Sequence, residues 1–192
     1  MDIIYDLSRL DTNMLIWLNS FHSPFWDQFM ILITGKAIWI PFYLLIALAI
    51  YRNFGRAWWI ILLSIGCTIA CADLFASSLL KPGIERLRPC HVETLQEILH
   101  MPAGCGGKFG FISSHSSNTF ALATFLFLLF RNRYRYIGLL FIWATAISYS
   151  RVYLAVHYPG DIIAGMISGS LWAALFYYIC KVAVRRYIPK AG

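Results

Sequence analysis

Residues 150–161 read Ser-Arg-Val-Tyr-Leu-Ala-Val-His-Tyr-Pro-Gly-Asp, and this stretch decides how the rest of the chain is read. Arg151 is followed six residues later by His157, and His157 four residues later by Asp161. Apolar runs flank the stretch on both sides, which sets an Arg, a His and an Asp at the edge of a membrane. Ionisable groups are costly there and usually have a task. A carboxylate at i+4 can hold a histidine in one tautomer and orientation, leaving the other ring nitrogen free as a base or nucleophile. A guanidinium nearby suits a phosphoryl group, because its planar fork of donors matches phosphate oxygens. The same stretch also reads as a polar loop capping two helices, with Asp161 as the cap.

The composition supports the membrane setting. Hydrophobic residues make up 59% of the 192 and charged residues 13%, where a soluble domain has roughly a quarter charged; the mean hydropathy is +0.64. The size allows one domain, residues 1–192. No cleavable signal pattern opens the chain, because the first residues lack a basic start followed by an apolar run. Residues 1–35 read as an amphipathic, interfacial segment: Leu10, Met14, Trp17, Leu18 and Phe21 recur at helical spacing, with Asp6, Asp11 and Asn13 off that stripe. Ser23-Pro24 breaks it, and Pro24 can start a second short helix that Asp27 and Gln28 make a poor spanning segment.

Residues 36–180 read as a helical bundle. Apolar spans run over Ala37–Tyr51, Ala57–Leu80, Ser113–Phe130, Tyr136–Tyr149 and Ile162–Cys180, with a polar, Gly- and Pro-rich loop at 81–112. The expectation is an all-α integral membrane bundle of five to six spans with an amphipathic N-terminal segment. Alternating the spans puts Lys81–Ile112 and Arg151–Asp161 on one side. The other side receives Arg52, Arg56, Arg131, Arg133, Arg135, Lys181, Arg185, Arg186 and Lys190, in segments without Asp or Glu. The positive-inside rule makes that side cytoplasmic. The net charge of +7 is then largely an orientation signal, and no nucleic-acid partner is expected.

Three polar clusters converge on the outer face: Lys81 to Arg88-Pro89, Ser113-Ser114-His115 at the start of a span, and the stretch quoted first. They offer three strong cations, two histidines, a carboxylate and the free N–H groups of a helix start, which suits a ligand with several negative oxygens. A metal fits poorly, since Lys81, Arg88 and Arg151 would repel zinc from the His115, His157 and Asp161 donors.

With these residues on the page, the chain resembles the membrane-bound type 2 phosphatidic acid phosphatases, of the superfamily that includes the vanadium haloperoxidases. Lys81, six residues, Arg88-Pro89 matches the first family motif. Ser150-Arg151, five residues, His157, three residues, Asp161 matches the third. The second, Pro-Ser-Gly-His, reads Ile112-Ser113-Ser114-His115 here, so two of its positions depart. Family members often have six spans, where this chain gives five. The resemblance implies a lipid phosphatase without a cofactor or metal. His157 attacks phosphorus to form a phosphohistidine, Asp161 orients it, and His115 protonates the leaving oxygen. Lys81, Arg88, Ser113, Ser114 and Arg151 bind the phosphoryl oxygens, and water resolves the intermediate. If the Ser114 N–H points at phosphate, a side chain in place of Gly crowds the approach.

The substrate classes left open are polyprenyl diphosphate, lipid A, phosphatidylglycerol phosphate and phosphatidic acid. Small size and an outward site suggest a bacterial inner-membrane enzyme acting at the periplasmic face, which favours the first two. Rival readings are a phosphotransferase using the same site and a transporter or anion channel with the same basic pocket. The partners expected are the lipid phosphate and the membrane lipids. Cys90 and Cys105 both lie in the outer loop, where a periplasmic disulfide is permitted; free thiols or a metal pair with His91 and His100 are the alternatives. Asp73 either steadies Lys81 from one face of the second span or is a buried acid satisfied by neighbouring helices. Gly165 and Gly169 form a small-xxx-small packing step, and His22, His91 and His100 read as interface or solvated loop histidines.

Overall fold

The computed structural model describes residues 2–187, so Lys190, one of the cations counted above, lies outside it. The helices are α1 (Asp2–Asn19), α2 (Pro24–Thr34), α3 (Ile40–Phe54), α4 (Trp58–Leu74), the short α5 (Lys81–Ile84) and α6 (Glu93–Gln96), α7 (Ser114–Phe130), α8 (Leu139–Tyr153) and α9 (Pro159–Tyr187). A π-helical turn, Phe75–Leu80, joins α4 to α5. Extended pairing among the described residues is limited to a bridge between Leu87 and Phe109.

Among the described residues, two helical stretches are long and apolar enough to cross a bilayer, where the sequence predicts five to six spans: Ala37–Ile84, 48 residues, and Pro159–Tyr187, 29 residues. A straight helix as long as the first would reach about 72 Å, more than twice the roughly 30 Å hydrocarbon layer. It does not run straight: Gly55, at φ 50°, reverses the chain and folds α3 against α4. A residue with a Cβ would be strained at that φ. α7 and α8 are shorter, at 17 and 15 residues, or about 26 and 23 Å of helix.

α7 and α9 form the centre. Gly165 and Gly169 let them approach closely. A Cβ on Gly165 would lie 2.7 Å from the Ser113 carbonyl, and one on Gly169 would run into the Ser117 carbonyl. The small-xxx-small step is therefore a packing device. α4 packs on both, α8 lies against α7 and α2, and α1 lies across α8 and α9. Ile61, Ile65, Leu122, Phe125 and Phe130 fill the core between α4, α7 and α9. Leu44, Leu63, Ile142, Ile167 and Leu171 point outward and are exposed. So extensive an apolar surface suits acyl chains better than water. α1 turns Leu10, Met14 and Trp17 outward and buries Leu15 and Asn19.

At one end of the bundle the α3–α4 and α7–α8 turns touch: Arg133 Nη1 donates to the Asn53 carbonyl at 2.8 Å. At the other end the 81–112 loop and the α8–α9 connection meet. The cation-rich turns and the polar clusters thus occupy opposite ends of the bundle.

Candidate active site

Pro159 occupies the first turn of α9, where its missing N–H costs nothing. Asp161 sits two residues on and reaches back, its Oδ2 accepting from the Tyr158 N–H at 3.1 Å. That is the reciprocal half of a helix capping box. The same oxygen lies 3.3 Å from His157 Nδ1. Asp161 is therefore both helix cap and histidine partner, and the two readings of the sequence coexist. A carboxylate only accepts, so the ring proton sits on Nδ1 and the Nε2 lone pair is free. His157 is 1% exposed. Burial depresses its pKa to about 4, against the pull of Asp161 in the other direction, so the imidazole is neutral at pH 7.

The cations reach this pair from separate elements. Arg88 stands in the loop after α5, with Nη1 donating to the Cys105 carbonyl at 2.8 Å and Nε to the Phe109 carbonyl at 3.2 Å. Burial lowers its pKa, while Asp161 opposes the shift. Cys90 and Cys105 are joined in a disulfide, with Cα atoms 5.8 Å apart. Gly110 lies where Arg88, His157 and Asp161 meet: a Cβ there would come within 3.2 Å of Arg88 Cγ, 3.2 Å of Asp161 Oδ2 and 3.5 Å of His157 Nδ1. Arg151, in the last turn of α8, donates from Nη1 to Thr34 Oγ1 at 2.7 Å; its buried Nε lacks a partner among the described residues.

The Ser113–His115 cluster opens α7. Ser113 is fully buried and caps the helix, its Oγ accepting from the Ser116 N–H at 3.4 Å, so that oxygen is engaged while its O–H can still donate. Ser114 does more than stand in for Gly: its Oγ accepts from Lys81 Nζ at 2.7 Å and lies 3.0 Å from Ser77 Oγ. Asp73 accepts from Asn118 Nδ2 at 2.9 Å; it makes no salt bridge with Lys81 among the described residues, though its charge acts on Lys81 from further off. Ser114 and His115 line a largely apolar cavity of about 460 Å³ that runs between α2, α3, α4 and α7, past Trp39, Ile65 and Leu122.

His100 is not a solvated loop histidine. Its Nε2 is 2.8 Å from Asp27 Oδ1, its ring stacks on His22 with centroids 3.8 Å apart, and Asn19 bonds both its N–H and its C=O. It docks the 81–112 loop on the α1–α2 corner, and it is not among the ligand atoms that Cys90, His91 and Cys105 bring together. Four residues near the site escaped the sequence reading: Gly110, Thr34, Arg86 and Asp11. Arg86 lies inside the quoted Lys81–Arg88 spacing, and its Nη1 donates to Asp161 Oδ1 at 2.8 Å. Asp11 carried a weak signal, as an acid off the apolar stripe of α1.

A buried histidine–carboxylate pair ringed by guanidinium groups at one end of an all-α membrane bundle defines a phosphoryl-transfer class of site. The PAP2 superfamily pattern matches residues 57–185. A lipid A 4'-phosphatase of Bacteroides thetaiotaomicron is 44% identical over 185 residues, covering 94% of this chain and 81% of that one. Two solved structures share the fold. LpxE of Aquifex aeolicus has a TM-score of 0.65 at 18% identity, covering 88% of this chain and 95% of that one. A transmembrane PAP2-type phosphatidylglycerolphosphate phosphatase of Bacillus subtilis has a TM-score of 0.66 at 20% identity, covering 96% and 89%. The chain belongs to the PAP2 superfamily, and with it to the membrane lipid phosphatases that hydrolyse phosphate esters.

Proposed function

We propose that the chain removes a phosphate monoester from a lipid A-type substrate, at the 4' position, on the periplasmic face of a bacterial inner membrane. The observation that carries the substrate class is the 44% identity to a lipid A 4'-phosphatase across 94% of the chain. Residues 1–192 act as one membrane domain, with 1–35 lying in the interface and five spans over 36–180. α3, α7 and α8 complete their crossings with the turns that flank them.

His157 Nε2 attacks phosphorus and the P–O bond to the sugar breaks. His115 gives its proton to the departing oxygen. Water then attacks the phosphohistidine, giving its proton to His115, as the P–N bond breaks, its electron pair returns to Nε2 and phosphate leaves. Lys81, Arg88 and Arg151 hold the three phosphoryl oxygens where charge develops, with Ser113 and Ser114 adding donors. On this reading Ser114 parks Lys81 between turnovers and releases it to phosphate. No metal is assigned a step, since the cations supply the charge.

The test is phosphate release by purified protein from lipid A, undecaprenyl diphosphate, phosphatidylglycerol phosphate and phosphatidic acid, with His157→Ala as control. Mass spectrometry of the lipid A product assigns the position. Release from lipid A at the 4' position is expected; preference for undecaprenyl diphosphate would move the reading to that lipid.

A further inference from the structure

The buried carboxylate beside His157 is held by Arg86, which is itself tied to a residue outside the region that matches the family pattern. Arg86 Nη1 donates to Asp161 Oδ1 at 2.8 Å, and Arg86 Nη2 donates to Asp11 Oδ2 at 2.7 Å. The other Asp11 oxygen accepts from the Gly160 N–H at 2.7 Å. The guanidinium also lies 3.9 Å above the Tyr158 ring. Asp11 belongs to α1, and the family pattern begins at residue 57. We infer that Asp11 and Arg86 are positioning residues, and that the N-terminal interfacial helix completes the active site through the series Asp11–Arg86–Asp161–His157.

The chemistry gives each member a distinct task. Asp161 is 0% exposed, and a buried anion without a partner is strongly disfavoured. Arg86 supplies the compensating charge, and its planar fork bridges two carboxylates in one orientation. With Oδ2 engaged by Tyr158 N–H and His157, and Oδ1 by Arg86, the carboxylate is fixed in one rotamer. Its charge is partly neutralised, so it orients the imidazole without drawing the proton needed to keep Nε2 free. Asp11 sets the direction of the guanidinium and ties it to the first turn of α9. Gly160 fits this account, because a Cβ there would lie 2.7 Å from Asp11 Oδ2. The apolar cluster of Leu15 with Val152, Ala155, Tyr158 and Ile162 seats α1 in register for the contact.

The inference concerns the site on which the proposed reaction rests, so its test must not depend on turnover. The other charged or titratable groups acting on His157 are Arg88 from the loop, Arg151 from α8 and His115 from α7; all are left intact. The measurement is the titration midpoint of His157 by ¹⁵N NMR of the full chain in micelles. In Arg86→Gln the Asp161 charge is uncompensated and the midpoint should rise by about one unit, the size expected for a nearby charge. Arg86→Lys keeps the charge and should stay near wild type. Asp11→Asn removes a negative charge and should leave the midpoint unchanged or lower it. General loosening of the site would move both variants the same way. In parallel, kcat of Arg86→Gln on the preferred lipid should fall about a hundredfold with KM little changed, the cost of a misplaced reacting group. A folded Arg86→Gln with an unshifted midpoint, or Asp11→Asn and Arg86→Gln shifting in the same direction, overturns the inference. If the wild type releases no phosphate from any lipid, the functional reading falls, and the titration still decides this one.

Discussion

Arg88 Nη1 donates to the main-chain carbonyl of Cys105, the residue bonded through sulfur to Cys90, two positions beyond Arg88. The disulfide loop is thus a collar around the guanidinium proposed to bind phosphate. A Cβ on Gly106 would lie 3.0 Å from the same Nη1, so the backbone crowds it on that side as well. Opening the bridge should therefore act on the site as well as on stability. The Cys90→Ser/Cys105→Ser variant should lose about 3 kcal/mol, the chain-entropy estimate for a loop of this size, spanning 15 residues. It should also raise KM more than it lowers kcat. Thermal unfolding and steady-state kinetics with and without reductant check both; a variant with wild-type KM would detach the collar from the site.

The acid side of the pH profile follows from His157. Burial depresses its pKa to about 4, and in the proposed role as nucleophile it must be unprotonated. Activity is therefore full above this value and is lost as pH falls through it, so kcat/KM should stay level from neutrality to about pH 5 and then decline. A limb centred near 6.5 that moved in His157-proximal variants would place the imidazole in water. The profile should be read on a substrate whose phosphate titration is measured separately.

Vanadate should inhibit at micromolar levels and EDTA should leave turnover intact. The basis is the donor set: Lys81, Arg88 and Arg151 present positive charge where a divalent ion would otherwise sit. Phosphate release after exhaustive chelation is the check. Loss of activity restored by a divalent ion would overturn it.

Much of this site was legible because its chemistry is local in sequence. His157, Pro159 and Asp161 lie within one turn, so the i+4 pairing and the helix start could be read together. The all-α bundle was legible through its apolar runs, but among the described residues only Ala37–Ile84 and Pro159–Tyr187 are long and apolar enough to cross a bilayer, short of the five to six spans expected; α8 runs on to Tyr153 and takes Arg151 into its last turn. The unread part depends on long-range contacts. Asp11 meets Gly160 across 149 residues, and no pattern within α1 distinguishes it from Asp6. Arg86 looked like spacer because only its partner gives it meaning. His100 reads as loop until Asn19 and Asp27 are brought to it.

The α7–α9 contact should be the least tolerant part of the bundle. Gly169→Ala would drive a methyl into the Ser117 carbonyl, and Gly165→Ala would press on the Ser113 carbonyl at 2.7 Å. Each should cost roughly 1–3 kcal/mol as overpacking. They should differ in function. Ser113 caps α7 beside Ser114 and His115, so Gly165→Ala should also depress kcat, while Gly169→Ala, a turn deeper, should act on stability alone. Melting temperature and kcat measured on the same preparations separate the two effects, and equal kcat in both variants would remove the link from Gly165 to the site.

The orientation in the membrane can be tested through the turns that meet at one end of the bundle. Arg133 donates to the Asn53 carbonyl at 2.8 Å, and the Tyr134 hydroxyl accepts from Asn53 Nδ2 at 3.0 Å. Whatever side holds one turn therefore holds both. With Arg52, Arg56, Arg131, Arg133 and Arg135 among them and no acid, the cytoplasm is expected. Cys67, Cys71 and Cys180 are free and can be replaced by Ser, leaving the Cys90–Cys105 bridge in place. Cysteines are then introduced singly at Asn132 and Gly107, both exposed. A membrane-impermeant maleimide added to spheroplasts should label Gly107→Cys and spare Asn132→Cys until the cells are lysed. The reverse pattern would turn the molecule over, put the phosphate site in the cytoplasm, and exclude a periplasmic lipid as its substrate.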